Sequence, residues 1–233
     1  MKVLNIILTM IILLTCFASC SYDNYKEPES FLKGQIVYQG DPIGVSVTDV
    51  SFELWEPGWQ KRTPIDVAVD QDGSFSAKLF NAEYKLIIPS FQGPFKMLIN
   101  EETGSDTIIV NLNGNKDLDI EVLPYYMIRN TEFSVEDNII TATFKAEQII
   151  SGSDARSIDR VYLYINKTMF VDYRWNISSA QIGGRYVTNP DSVLMKVKVP
   201  DMVPVQTYVF ARVGLKIMGV EDMIFSDIQK VNL

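Results

Sequence analysis

Histidine is absent from this 233-residue chain. That excludes Ser-His-Asp and Cys-His nucleophilic catalysis, histidine-bound zinc, and the side chain most used for proton transfer near neutral pH. Cysteine is nearly absent too. The two present, Cys16 and Cys20, fall within the first twenty residues, so the rest of the chain has neither thiol nor disulfide. Stability must then come from burial, which about 200 residues can supply as one large or two ordinary cores. Cations are in deficit, 21 Lys and Arg against 29 Asp and Glu, for a net charge of −8. That balance argues against nucleic acid and other polyanionic partners. No glycine-rich phosphate loop or nucleophile elbow is present.

What is there begins with an address. Lys2 precedes an almost unbroken apolar run from Val3 to Leu14, and Phe17-Ala18-Ser19-Cys20 closes it with small residues before a cysteine. Charge, short apolar core and small-residue cleavage site describe a secretory signal, too short to span a bilayer. The closing tetrad resembles the lipobox of bacterial lipoproteins, which implies removal of residues 1–19, diacylation of Cys20 and a membrane anchor. Residues 20–30 are polar with one proline and read as a tether. Its ten residues after the cysteine reach roughly 35 Å when extended. Asp23 with Lys26-Glu27 is a weak version of the acidic export signal of Bacteroides-type surface lipoproteins, and it points to the outer membrane and surface display.

From Phe31 onward, short apolar alternations are separated by turn clusters. Strands are expected over Phe31–Tyr38, Val45–Trp55, Ile65–Val69, Ser74–Leu79, Tyr84–Ile88, Phe95–Ile99, Thr107–Leu112 and Asp117–Val122. Gln39-Gly40-Asp41-Pro42, Glu56-Pro57-Gly58, Asp70-Gln71-Asp72-Gly73 and Gln92-Gly93-Pro94 punctuate them. No window sustains a 3.6-residue period long enough for a core helix. Strands resume over Thr131–Val135, Ile139–Ala146, Ile158–Ile165, Val193–Val199, Tyr208–Ile217 and Ile224–Val231, with Asn176–Asp191 read as the longest loop. The fold class is therefore all-β, two consecutive β-sandwich domains over 31–123 and 124–233, with Leu123-Pro124 at the boundary.

Asp117, Asp119 and Glu121 share one face of their strand. Three carboxylates there offer the oxygen donors of a calcium site, but a solvated outer sheet face is the favoured reading. Asp70-Gln71-Asp72-Gly73 opens like a calcium loop, yet Asn81 stands where a bidentate glutamate is needed, so a hairpin turn is expected. No metal and no cofactor are expected.

Gly34-Gln35-Ile36-Val37-Tyr38-Gln39-Gly40-Asp41-Pro42-Ile43-Gly44-Val45 resembles the opening of carboxypeptidase-regulatory-like (transthyretin-like) domains. Asp70–Phe75 followed by Asn81-Ala82-Glu83-Tyr84-Lys85-Leu86 resembles their second signature, without the glycine usual before that tyrosine. With the anchor and an immunoglobulin- or fibronectin-like second half, the chain resembles a two-domain lipoprotein family of Bacteroidetes with no assigned biochemical role. The resemblance implies an accessory component of an outer-membrane glycan-uptake system, with transporter proteins as partners. It supplies no catalytic residues.

Exposed aromatics are the remaining candidates. Trp55 and Trp59 flank the Glu56-Pro57-Gly58 turn, and an indole or phenol joins apolar area to a polar handle, as sugar stacking needs. Trp55 is expected to cap the core, whereas Trp59 stands evenly between sugar platform and packing. Trp175 is open between core and platform, and Tyr125-Tyr126 are expected to cement the domain interface. The acid pairs Glu101-Glu102, Glu136-Asp137 and Glu221-Asp222 sit at expected turns rather than across a cleft, so no enzyme is expected. Two readings remain: a glycan-binding accessory using these aromatics, or a scaffold that contacts outer-membrane proteins and binds no sugar.

Overall fold

The computed structural model describes residues 26–58 and 63–233. It is all-β, 53% strand and 3% helical. The first half holds β1 Ser30–Tyr38, β2 Asp41–Pro42, β3 Ser51–Trp55, β4 Ile65–Ala68, β5 Ser74–Leu79, β6 Ala82–Ile87, β7 Phe95–Met97, β8 Ile108–Leu112, β9 Lys116–Asp117 and β10 Ile120–Pro124. The second holds β11 Tyr126–Glu136, β12 Ile139–Gln148, β13 Ile158–Asn166, β14 Ser178–Gly183, β15 Val193–Lys198, β16 Tyr208–Ile217, β17 Ile224–Phe225 and β18 Gln229–Asn232.

Each half is a sandwich of two sheets. In the first, β2-β1-β10-β7 with β5 and β9 on β1 faces the sheet β4-β3-β6-β8; in the second, β11-β12-β15 faces β14-β13-β16-β17 with β18 on β16. Alternation does what a half-buried strand requires. Phe52 and Leu54 of β3 are fully buried, as are Ile36 of β1 and Ile120 of β10. Two tight hairpins fix register locally. Gln39-Gly40 links β1 to β2 and Asp137-Asn138 links β11 to β12, all four residues at positive φ, the backbone that two-residue hairpins of matching twist demand.

β1 pairs with β9 and β10 in parallel, an arrangement that alternation alone does not disclose. The approach is close. A Cβ on Gly34 would lie 1.8 Å from the Leu118 carbonyl oxygen, so only glycine fits there. The expected strand Asp117–Val122 is broken at Leu118-Asp119, because Asp119 turns to accept a hydrogen bond from the Gln35 amide at 3.1 Å. Glu121 does the same for the Gln39 amide at 2.6 Å. Those two carboxylates are thus engaged on the backbone of β1 and of the turn that follows it.

Other expectations need correction. Val45–Val50 leaves the sheet, and only Ser51–Trp55 is strand; the freed segment packs on the second half. The turn Asp70–Gly73 is tight, with Gly73 at φ +83°, but it carries the chain from one sheet to the other (β4 pairs with β3, β5 with β1) and is no hairpin. Ile224–Val231 is split into β17 and β18. Asn176–Asp191 is not all loop. It contains β14, a polar edge strand paired to β13, whose serines and glutamine lack the apolar signal of a central strand.

Buried apolar side chains of the two halves form one continuous cluster, from Leu32 and Phe52 to Val213 and Val231. A short antiparallel bridge joins Gly44 to Phe225, with the Phe225 amide donating to the Gly44 carbonyl at 2.9 Å.

Candidate functional site: the cleft between the halves

The site follows from two strands read face by face. Val161, Leu163 and Ile165 of β13 and Ala211, Val213 and Leu215 of β16 point into the core and are fully buried. Period 2 sends Arg160, Tyr162 and Tyr164 of β13 the other way. Register sets Arg160 opposite Lys216, Tyr162 opposite Gly214, and Tyr164 opposite Arg212. Gly214 leaves room for Phe225 and Met223, since a Cβ there would lie 2.8 Å from either side chain. This outer face carries both aromatic and charged residues, and the first half covers one end of it.

Arg212 is the clamp of that cover. Its residue is only 1% exposed. Nε donates to the Ser226 carbonyl at 2.8 Å, Nη1 to Val45 at 3.0 Å, and Nη2 to Gln71. Its guanidinium lies 4.5 Å from the centre of the Phe225 ring. Burial pulls its pKa down to about 9, opposed by the charges of Asp172, Asp227, Asp72 and Asp70. The cation therefore persists at neutral pH. Two of its three carbonyl partners belong to the first half, so the halves are held by a buried charge with an acceptor on each guanidinium nitrogen.

Asp172 is the second clamp, with no exposed side-chain surface. Its Oδ1 accepts from the Arg174 and Trp175 amides at 2.8 and 2.9 Å, and its Oδ2 from the Val47 amide at 3.2 Å. The β13–β14 loop is thereby fixed against the segment Val45–Val50. Arg174 extends the seam, pairing with Asp49 at 2.6 Å and donating to the Val47 carbonyl. Gln71 Nε2 donates to Met169 at 3.0 Å, and the Gly93 amide donates to Asp222 Oδ2 at 2.7 Å.

Beyond the clamps the halves diverge, leaving a cleft of about 550 Å³. Its aromatic wall comes from Tyr162 and Tyr164, stacked at 5.3 Å with planes 11° apart, with Tyr173 and the exposed Phe91 beside them. Tyr164 is buried, and burial with the neighbouring Tyr162 and Asp172 raises its pKa so far that it stays a neutral phenol. Carboxylates line both sides: Asp49 from the first half, Asp159, Glu221 and Asp222 from the second. Burial first, then the charges of Asp49 and Glu221, raise the pKa of Asp222 from its ordinary value, opposed by the hydrogen bond from Gly93. Ser46, also in the lining, is 2% exposed and its hydroxyl has no partner among the described residues.

The candidates of the sequence fare differently. Cys20 and Trp59 lie outside the described residues. Trp55 is half-buried, its indole N–H donating to Glu53 at 2.8 Å. Tyr126 is only 6% exposed and donates to the Arg156 carbonyl at 2.9 Å, which leaves it no face for a sugar. Tyr125 is half-buried against the common core. Trp175 is 55% exposed, on the same loop as exposed Met169, Phe170 and Tyr173. Sequence reasoning passed over the cleft tyrosines, and it assigned Glu221-Asp222 to a solvated turn, whereas both residues line the cleft. The Tyr-x-Tyr spacing of Tyr162 and Tyr164 between buried aliphatics was the available signal.

Known families and solved structures share this architecture. Residues 30–123 match the N-terminal domain of the DUF3823 family, described as a protein of unknown function, and residues 126–230 match the C-terminal domain DUF3823_C, a domain of unknown function. No curated protein matches the chain. A DUF3823 protein of Parabacteroides merdae is 32% identical, with a TM-score of 0.76 over 89% of this chain and all of its own. One from Bacteroides ovatus is 28% identical, with a TM-score of 0.77 over 88% of this chain and all of its own. A Bacteroides uniformis protein described as a candidate carbohydrate binding protein shares the fold at 17% identity, with a TM-score of 0.67 over 88% of this chain and all of its own. With both family domains present in order over most of its length, the chain belongs to the two-domain DUF3823 family.

Proposed function

We propose that this protein is a non-catalytic, lipid-anchored component of the outer membrane that binds glycan as an accessory to a polysaccharide-uptake system. The observation that carries the reading is the cleft itself. Flat tyrosine rings line one wall and carboxylates line both sides, the combination that grips a sugar by its apolar face and its hydroxyls. Clefts at domain interfaces are common ligand sites, and this one is held open by Arg212 and Asp172 rather than by mobile loops. The Bacteroides uniformis neighbour supports the same direction. Anchoring through Cys20 and surface display rest on the leader and tether. Tyr173 lines the cleft, and Trp175, exposed two residues further along the same loop, would meet a longer chain.

Affinity electrophoresis of residues 21–233 against plant, microbial and host polysaccharides tests the reading. Retardation by at least one glycan, weakened in Tyr173→Ala or Trp175→Ala, is the expected result. No retardation across the panel moves the protein to a scaffold role, for which exposed Leu98 and Ile99 beyond β7 would be the first surface to probe.

A further inference from the structure

We propose that the cleft is selective by charge: it takes uncharged sugars and turns away uronic and sulfated ones. The inference deepens the glycan reading and depends on it. Four carboxylates line the cleft against two cations, Arg160 and Lys216. Lys216 is partly spent, since its ammonium donates to the Glu221 carbonyl. Arg174, the other nearby cation, is committed to Asp49 and the Val47 carbonyl. Arg160 is the one guanidinium of the lining without a partner among the described residues, and a sugar carboxylate or sulfate would find that single fork in a wall where carboxylates outnumber cations.

Asp222 is the residue assigned to hold the ligand. One carboxylate oxygen takes the Gly93 amide at 2.7 Å, while Oδ1 has no protein partner among the described residues. An ionised carboxylate in a partly desolvated cleft seeks hydrogen-bond donors, and sugar hydroxyls supply them. The partnerless Ser46 hydroxyl is a second, independent sign that the lining is complete only when something polar occupies it. A ligand carboxylate or sulfate would also meet Asp159, Glu221 and Asp222, which have no ion-pair partner among the described residues, and like charges there repel.

The test uses residues 21–233 in gels containing laminarin, xyloglucan or soluble starch as neutral probes, and polygalacturonate or chondroitin sulfate as anionic ones. Retardation by a neutral probe only is expected, and the discrimination should persist at about 0.3 M salt, which screens the chain's overall charge but not contacts inside the cleft. Asp222→Asn keeps an acceptor for Gly93 and should weaken the neutral interaction at least about tenfold without lowering thermal stability. Retardation by an anionic probe overturns the charge rule while the glycan reading stands. Neutral binding untouched by Asp222→Asn overturns the assignment of the cleft. Retardation by nothing defeats the glycan reading itself, and this inference with it.

Discussion

Replacing Arg212 by methionine removes the guanidinium but keeps much of the stem volume, so the loss falls on three hydrogen bonds and one ring contact. Each charge-assisted bond to a carbonyl is worth about 1.5–3 kcal/mol. Against that, removing the cation returns several kcal/mol of desolvation cost. The carbonyls of Val45, Gln71 and Ser226 would remain without the guanidinium, and a net loss of about 3–5 kcal/mol follows, the range for breaking a buried charge network. In a domain pair of this size about 1 kcal/mol shifts Tm by roughly 2–4 °C, so a fall of roughly 6–20 °C is expected by circular dichroism. The shape of the transition carries further information. Because the halves share one apolar cluster, the wild type should unfold in a single step, and Arg212→Met should separate into two. Arg212→Lys should recover less than half of the loss, since a point ammonium cannot span carbonyls from both halves as the planar fork does. A methionine variant within about 1 kcal/mol of wild type, unfolding in one step, would refute the clamp.

Gly44→Ala should cost about 1–3 kcal/mol in urea denaturation, because its Cβ would meet the Phe225 carbonyl oxygen at 2.6 Å and the Arg212 side chain at 2.8 Å, and the backbone there cannot yield cheaply. Asp222→Asn should raise stability at pH 7. The folded pKa of Asp222 is raised, so its charge opposes folding above that pKa; the gain should fade as pH falls through the carboxylate range, where the aspartate is neutral in both states. A stabilising substitution that lowers glycan affinity is the trade expected of a binding residue. Cys20→Ala should move the protein from the detergent phase to the aqueous phase in Triton X-114 partition of cell extracts, whereas an unlipidated wild type would show no such shift.

Much of the fold was legible because strand chemistry is local. Phe52 and Leu54 alternate with polar neighbours, and the turn residues Gln39-Gly40 stand where the hairpin needs them. What escaped depends on distant partners. β14 is polar because it is an edge strand, and nothing in Ser178–Gly183 announces that β13 lies beside it. Parallel pairing of β1 with β10 has the same local pattern as antiparallel pairing. The cleft was invisible for the same reason, since Asp49 and Asp222 are 173 positions apart in the sequence and meet only through the docking of the halves. One clue was readable. Arg212 interrupts the apolar run from Val209 to Leu215, between Ala211 and Val213, and a cation in such a place must find acceptors from somewhere.

The most direct measurement is a crystal structure of residues 21–233 with whichever neutral oligosaccharide retards the protein. Sugar density against Tyr162 and Tyr173, with a hydroxyl on the free oxygen of Asp222, is the expected result. Density confined to Trp175 outside the cleft, with the cleft empty, would contradict the account.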